Sequence, residues 1–163
     1  MTQTIVSHPE RCLGCMTCVV ECSMSHTTAQ TLAEALHLKQ PPESRVFVEA
    51  AGDASVPMQC FHCEDAPCAK ACPKEAICRD EAQVRTVIDY NRCVGCQMCV
   101  HACPFGAMGF DDDRGRPFKC DLCGGDPLCV HFCEPMALTF RDASMIQYAQ
   151  TRQAALKLTG VTR

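Results

Sequence analysis

The chain has 163 residues, with 15 basic and 19 acidic side chains giving a formal charge of −4, and it carries 17 Cys beside no Trp, two Tyr and seven Phe. Setting the Cys aside lowers the apolar share from 47% to roughly 37%, which is thin for a hydrocarbon core. No strongly basic face points to nucleic acid and no uninterrupted run of 18 apolar residues offers a membrane span, so cross-links or inorganic cofactors must supply much of the interior.

In chain order, residues 1–9 lack the basic stretch, long apolar stretch and twin Arg of an export signal, which predicts a cytoplasmic location. Thiols stay reduced there, and metal ligation becomes the default role of grouped Cys. Residues 4–8 read as a short strand leading through Pro9-Glu10-Arg11 into the first group, Cys12, Cys15, Cys18 and Cys22. Residues 23–59 form an insertion in which Ala29, Leu32, Ala33 and Leu36 share helical spacing before Pro41-Pro42 stops the helix, and residues 45–49 read as a strand. The second group is Cys60, Cys63, Cys68 and Cys72, followed by a strand at Ala76-Ile77-Cys78. A strand over 84–89 leads into the third group, Cys93, Cys96, Cys99 and Cys103, and another follows at Ala107-Met108-Gly109-Phe110. The fourth group is Cys120, Cys123, Cys129 and Cys133, followed by a strand at Ala137-Leu138-Thr139-Phe140. Residues 143–158 read as a helix capped by Asp142 or Ser144, with Met145, Ile146, Ala149 and Leu156 on one side.

The repeated unit is strand, cysteine loop, one-turn helix, strand. Groups one and three read C-x2-C-x2-C-x3-C, while groups two and four widen the middle gap to four and five residues. Three thiolates two residues apart can wrap one face of a cubane, and the fourth sits one helical turn farther on, pointing away from the loop; in two-cluster ferredoxins that Cys ligates the other cluster. Pro73 and Pro104 complete the C-P ending in the middle groups, whereas Ser23 and Glu134 stand there in the outer ones. Zinc sites use paired C-x2-C units and have no need of the third and fourth Cys at this spacing, and a disulfide framework needs an oxidising compartment. Cys78 is left over and reads as a small buried strand residue. His62, His101 and His131 fall within cysteine groups, where they can hydrogen-bond near a cluster, whereas His8, His26 and His37 read as surface or helix residues.

Over nearly its whole length the sequence resembles the four-cluster ferredoxin-type subunits of dimethyl sulfoxide reductase, formate dehydrogenase, hydrogenase and carbon monoxide dehydrogenase systems. The resemblance is strongest at residues 57–68, Cys72-Pro73, residues 91–99 and Lys119-Cys120-Asp121-Leu122-Cys123. It implies an α+β fold of two nested bacterial-ferredoxin-like modules: an inner one over 60–110, an outer one from 1–22 with 111–142, the insertion at 23–59, and a C-terminal helix and tail over 143–163. It also implies four 4Fe-4S clusters with crossed ligands. Cys12, Cys15 and Cys18 would share a cluster with Cys133, and Cys120, Cys123 and Cys129 with Cys22. Cys60, Cys63 and Cys68 would share one with Cys103, and Cys93, Cys96 and Cys99 with Cys72.

Sixteen thiolates and four oxidised cores would bring the holoprotein to about −12, with Arg11, Lys70, Arg92 and Lys119 beside the groups as sources of compensating charge. No nucleophile–base pair, nucleotide-binding glycine motif or pterin site stands out, so the expected role is non-catalytic one-electron relay. The resemblance implies a catalytic partner, first a molybdenum or tungsten pterin enzyme such as an aldehyde or formate oxidoreductase, then a hydrogenase or carbon monoxide dehydrogenase, and a second redox subunit or carrier. The alternatives are a free polyferredoxin and, from a different class, a structural zinc-binding module. One copy per complex is the default; end-to-end stacking of copies through the insertion or the 143–158 helix is the other arrangement.

Overall fold

The computed structural model describes residues 3–40 and 42–142. Among these, eight strands form four separate two-stranded antiparallel ribbons. Strand β1 (Gln3–Ser7) pairs with β8 (Leu138–Asp142), placing Ile5 opposite Phe140, so the two ends of the described chain close on one another. The remaining ribbons are hairpins: β2 (Val46–Ala51) with β3 (Ala54–Gln59), β4 (Ile77–Asp80) with β5 (Arg85–Ile88), and β6 (Met108–Asp111) with β7 (Arg116–Lys119). One cysteine group occupies each connection between ribbons, following β1, β3, β5 and β7 in turn.

The helices are short. Four of them, α1 (Thr17–Ser25), α3 (Pro67–Lys70), α4 (Met98–Ala102) and α5 (Leu128–His131), each carry the third Cys of a group as their second residue. The fourth Cys lies four residues on, about one helical turn later. Helix α1 packs on α5 and α3 on α4, which brings group one to group four and group two to group three. The insertion adds α2 (Leu32–Leu36), whose Thr31 cap accepts from the Glu34 backbone N–H at 3.2 Å while the Glu34 carboxylate accepts from Gln30 N–H at 2.8 Å. The apolar face expected there is not the buried one: Ala35 is enclosed, while Leu32 and Leu36 are 51% and 71% exposed and Ala33 is exposed as well.

The strands after the second, third and fourth groups begin one residue later than expected. Glu75, Gly106 and Met136 take positive φ of 47°, 61° and 52°, turning the chain away from the preceding helix, and the next residue, Ala76, Ala107 or Ala137, is buried before pairing starts. Strands β3 and β7 had no sequence signal because Pro57 and Pro117 lie within them, which a two-stranded ribbon tolerates since each strand has a free edge. In β4 the alternation of faces buries Ile77 and turns Cys78 outward; Cys78 is exposed, contrary to its reading as a buried strand residue. The helix expected over 143–158 lies outside the described residues.

Cysteine supplies half of each of the two core clusters. The larger core joins Ile5, Val46, Leu122 and Leu138 to Cys18, Cys22, Cys120 and Cys129, and the smaller joins Ile77 and Met108 to Cys68 and Cys99. Glycine fixes two close approaches: a Cβ at Gly95, where φ is +71°, would meet the Gly115 carbonyl oxygen at 2.2 Å, and one at Gly109 would meet the Phe118 ring at 2.2 Å. No helix among the described residues is long and apolar enough to cross a membrane.

Candidate metal centre

The cysteine loops curl through left-handed residues. In groups one and three Gly14 and Gly95 take φ of 66° and 71°, then Met16 and Gln97 take 61° and 60° immediately before α1 and α4. His62 does the same in group two, and Leu122 and Cys123 in group four. A side-chain-bearing residue in this region costs about 1–2 kcal/mol, a strain that surrounding structure must hold. Backbone donors also reach sulfur: N–H groups of Arg45, Ala76, Leu138 and Leu122 meet the Sγ atoms of Cys22, Cys72, Cys133 and Cys120 at 3.2, 3.3, 3.3 and 3.4 Å.

Each gathering of Cys draws on two groups. One cavity is lined by Cys12, Cys15, Cys18 and Cys133, a second by Cys60, Cys63, Cys68 and Cys103, and a third by Cys72, Cys93, Cys96 and Cys99. The remaining four meet around Cys129, which feels the charges of Cys120, Cys22 and Cys123. These gatherings approach one another in sequence. Cys129 also feels the charge of Cys18, Cys120 that of Cys60, and Cys99 that of Cys68, and Cys60 packs on the larger core. At the two extremes Cys15 and Cys96 are exposed, beside the exposed side chains of Leu13 and Met16 at one and Val94 and Met98 at the other.

The donor chemistry fits iron–sulfur ligation: sixteen thiols in sets of four, several facing N–H groups that favour anionic sulfur. Burial, then neighbouring thiolates, pushes the Cys18 thiol up to about 11; burial likewise pushes Cys99 to about 11 and Cys120 to about 12, and raises Cys129 in the same direction. Such thiols are protonated at neutral pH until a metal displaces the proton. Cys22 goes the other way: burial opposes its charge, but His26 and the Arg45 N–H outweigh burial.

His26, expected from sequence to be a surface or helix residue, stands at the end of a helix and does more. It closes the C-terminal end of α1, with Nδ1 2.7 Å from the Cys22 carbonyl and Nε2 3.4 Å from Asp121, and despite burial its bonds to Asp121 and Cys22 raise its pKa to about 10. Arg45 from the insertion pairs with the same Asp121. Sequence reasoning missed this triad because its members come from three distant segments. His101 and His131, expected near clusters, are exposed, and His131 pairs with Asp126. His62 alone of the three is buried; its Nδ1 accepts from the Thr86 N–H at 3.1 Å, and burial pushes its pKa down to about 3, so the ring is neutral.

Of the four cations expected to compensate cluster charge, three face away. Arg11, Lys70 and Arg92 are 50%, 67% and 52% exposed and pair with Glu10, Asp65 and Glu75. Lys119 is 5% exposed, with Nζ 3.1 Å from the Cys120 carbonyl and 3.3 Å from His62 Nδ1.

Comparison with known proteins matches residues 53–143 to one 4Fe-4S dicluster domain family and residues 11–77 to another. YsaA of Escherichia coli K12 is 38% identical over 160 residues, covering 94% of this chain and 98% of its own. The electron transport protein HydN of the same organism is 34% identical over 168 residues, covering 90% and 92%. The polyferredoxin-like subunit of the aliphatic sulfonate oxidoreductase of Pyrococcus furiosus is 36% identical over 129 residues, covering 79% and 70%.

Proposed function

The chain belongs to the ferredoxin-type family of 4Fe-4S electron-transfer proteins, and from that premise we propose that it is a non-catalytic relay subunit of an oxidoreductase complex carrying four 4Fe-4S clusters. The observation that carries this reading is the gathering of sixteen Cys into four sets of four, each crossing between two groups. In order along the relay the sets are Cys12, Cys15, Cys18 and Cys133; Cys22, Cys120, Cys123 and Cys129; Cys60, Cys63, Cys68 and Cys103; and Cys72, Cys93, Cys96 and Cys99. The packing of α1 on α5 and α3 on α4 supports a nested arrangement, with residues 60–110 as the inner module and 1–22 with 111–142 as the outer.

The clusters supply reversible one-electron storage. The chain's residues would hold them one after another, with no exposed Cys in the middle sets and one at each extreme, Cys15 and Cys96, where a partner can approach. The favoured catalytic partner is a molybdenum- or tungsten-pterin enzyme; a hydrogenase or carbon monoxide dehydrogenase is the alternative, and in each case a second redox subunit or carrier takes the electrons onward. A free carrier is the second reading, favoured by the near full-length match to a protein named only for electron transport.

Anaerobic purification of the native assembly tests the choice. A relay subunit co-purifies with a catalytic chain, and its visible absorption bleaches when that enzyme's reducing substrate is added. Recovery of the chain alone, with reduction only by exchange with unrelated enzymes, would favour the free carrier; substrate turnover by the isolated chain would contradict both.

A further inference from the structure

Among the described residues, Lys119 is a buried cation without a counter-ion. It enters none of the ion pairs among the described residues. Its two hydrogen-bond partners, the Cys120 carbonyl and His62 Nδ1, carry no negative charge. The His62 ring supplies no anion, and Lys119 shares its Nδ1 with the Thr86 N–H. An unpaired ammonium enclosed to this degree is strongly unfavourable unless negative charge lies near it.

The surroundings add to the demand. Arg79 and Arg85 both act on His62 alongside Lys119. Arg79 donates to the His62 and Cys63 carbonyls at 2.8 and 3.2 Å, and Arg85 donates to the Asp121 carbonyl at 2.6 Å. Asp80 answers one of these charges by pairing with Arg85. The cations converge where groups two and four meet: Cys60 and Cys120 feel one another there, and Lys119 acts on Cys68 across the same junction.

We propose that Lys119 is the shared counter-charge of the two middle cysteine sets, the one containing Cys60 and the one containing Cys120, and that it raises the reduction potentials of the clusters they hold. This rests on the four-set ligation proposed above. Each electron arriving from the redox partner makes a cluster one unit more negative, with no bond formed or broken, and a fixed ammonium between the two sets favours that state on either side. It thereby eases electron passage across the one junction where the inner and outer modules meet.

The test is a potentiometric titration, followed by electron paramagnetic resonance, of the full chain purified anaerobically, comparing wild type with Lys119→Gln, Lys119→Met and Lys119→Arg. Glutamine keeps a donor at the site and removes the charge. Both neutral variants should hold wild-type iron while two of the four one-electron equilibria shift at least tenfold toward the oxidised form, which is a fall of 59 mV. The other two should stay in place, and arginine should restore the pair. Full iron with every equilibrium moved less than threefold would overturn the proposal, as would an equal fall in all four. If both neutral variants lose iron, retention in Lys119→Arg supports a need for charge and loss there too shows a packing role instead. Wild-type chain without iron–sulfur clusters would refute the ligation itself, a result distinct from any of these.

Discussion

Cys22 offers the sharpest test of crossed ligation, because it lies on α1 in the first group and yet is assigned to the set of Cys120, Cys123 and Cys129. Substituting Cys22→Ser removes one of four thiolates from that set. Its Sγ accepts the Arg45 N–H at 3.2 Å, and a serine hydroxyl can still accept, so the hydrogen bond worth about 1 kcal/mol survives and the main loss falls on iron. Three thiolates hold a three-iron remnant or none, so iron should fall from about 16 per chain to about 15 or about 12. Cys78→Ser is the control: the side chain is exposed on β4, so iron should be unchanged and stability within about 0.5 kcal/mol. The assay is iron and sulfide analysis with electron paramagnetic resonance of the reduced protein. Cys22→Ser and Cys123→Ser should alter the same signal, and Cys12→Ser a different one. The crossing is refuted if Cys22→Ser alters the signal that Cys12→Ser alters, and the grouping itself fails if Cys78→Ser loses iron.

Leu138, 1% exposed and lining the cavity of Cys12, Cys15, Cys18 and Cys133, should cost about 2–5 kcal/mol when cut to Ala, seen as faster thermal bleaching with the signal of that set lost first. Gly95→Ala forces a Cβ to within 2.2 Å of a carbonyl at positive φ and should cost more than about 1 kcal/mol, whereas Gly52→Ala, where φ is also positive but nothing lies within 4 Å, should cost less; denaturation midpoints of the two compare them. Asp121→Ala leaves Arg45 without its carboxylate and should lower stability by about 1–2 kcal/mol in chemical denaturation, partial exposure of Asp121 keeping the loss modest. Chelating the iron should abolish near-ultraviolet circular dichroism, because half of each core is cysteine that iron would otherwise hold together.

The cysteine spacing made the repeat legible, since C-x2-C-x2-C-x3-C carries both the loop and the helical turn in one line of sequence. Strands β1, β4, β5, β6 and β8 and the strand at 45–49 could be placed to within a residue or two, whereas α1 runs nine residues where one turn is expected and α2 starts three residues after Ala29. What escaped was set by backbone conformation or by distance. The late starts of β4, β6 and β8 depend on left-handed turns at Glu75, Gly106 and Met136, of which only the glycine advertises itself. Pro57 and Pro117 masked β3 and β7, and with them the hairpin that follows Arg45 and the one that carries Lys119 to the cysteine sets. Sequence could name Lys119 as a cation beside Cys120, yet it could not separate it from Arg11, Lys70 and Arg92, whose exposed carboxylate partners appear only in the fold. The triad of His26, Arg45 and Asp121 joins residues from the end of α1, the insertion and the fourth group, and no local spacing announces such a meeting.

The most direct measurement is the metal and acid-labile sulfide content of the anaerobically purified chain, read beside its zinc. About 16 iron and about 16 sulfide per chain, with zinc absent, are expected for four clusters. One or more zinc per chain with little iron, or iron that levels off near about 8 however fully the protein is reconstituted, would contradict four-cluster ligation.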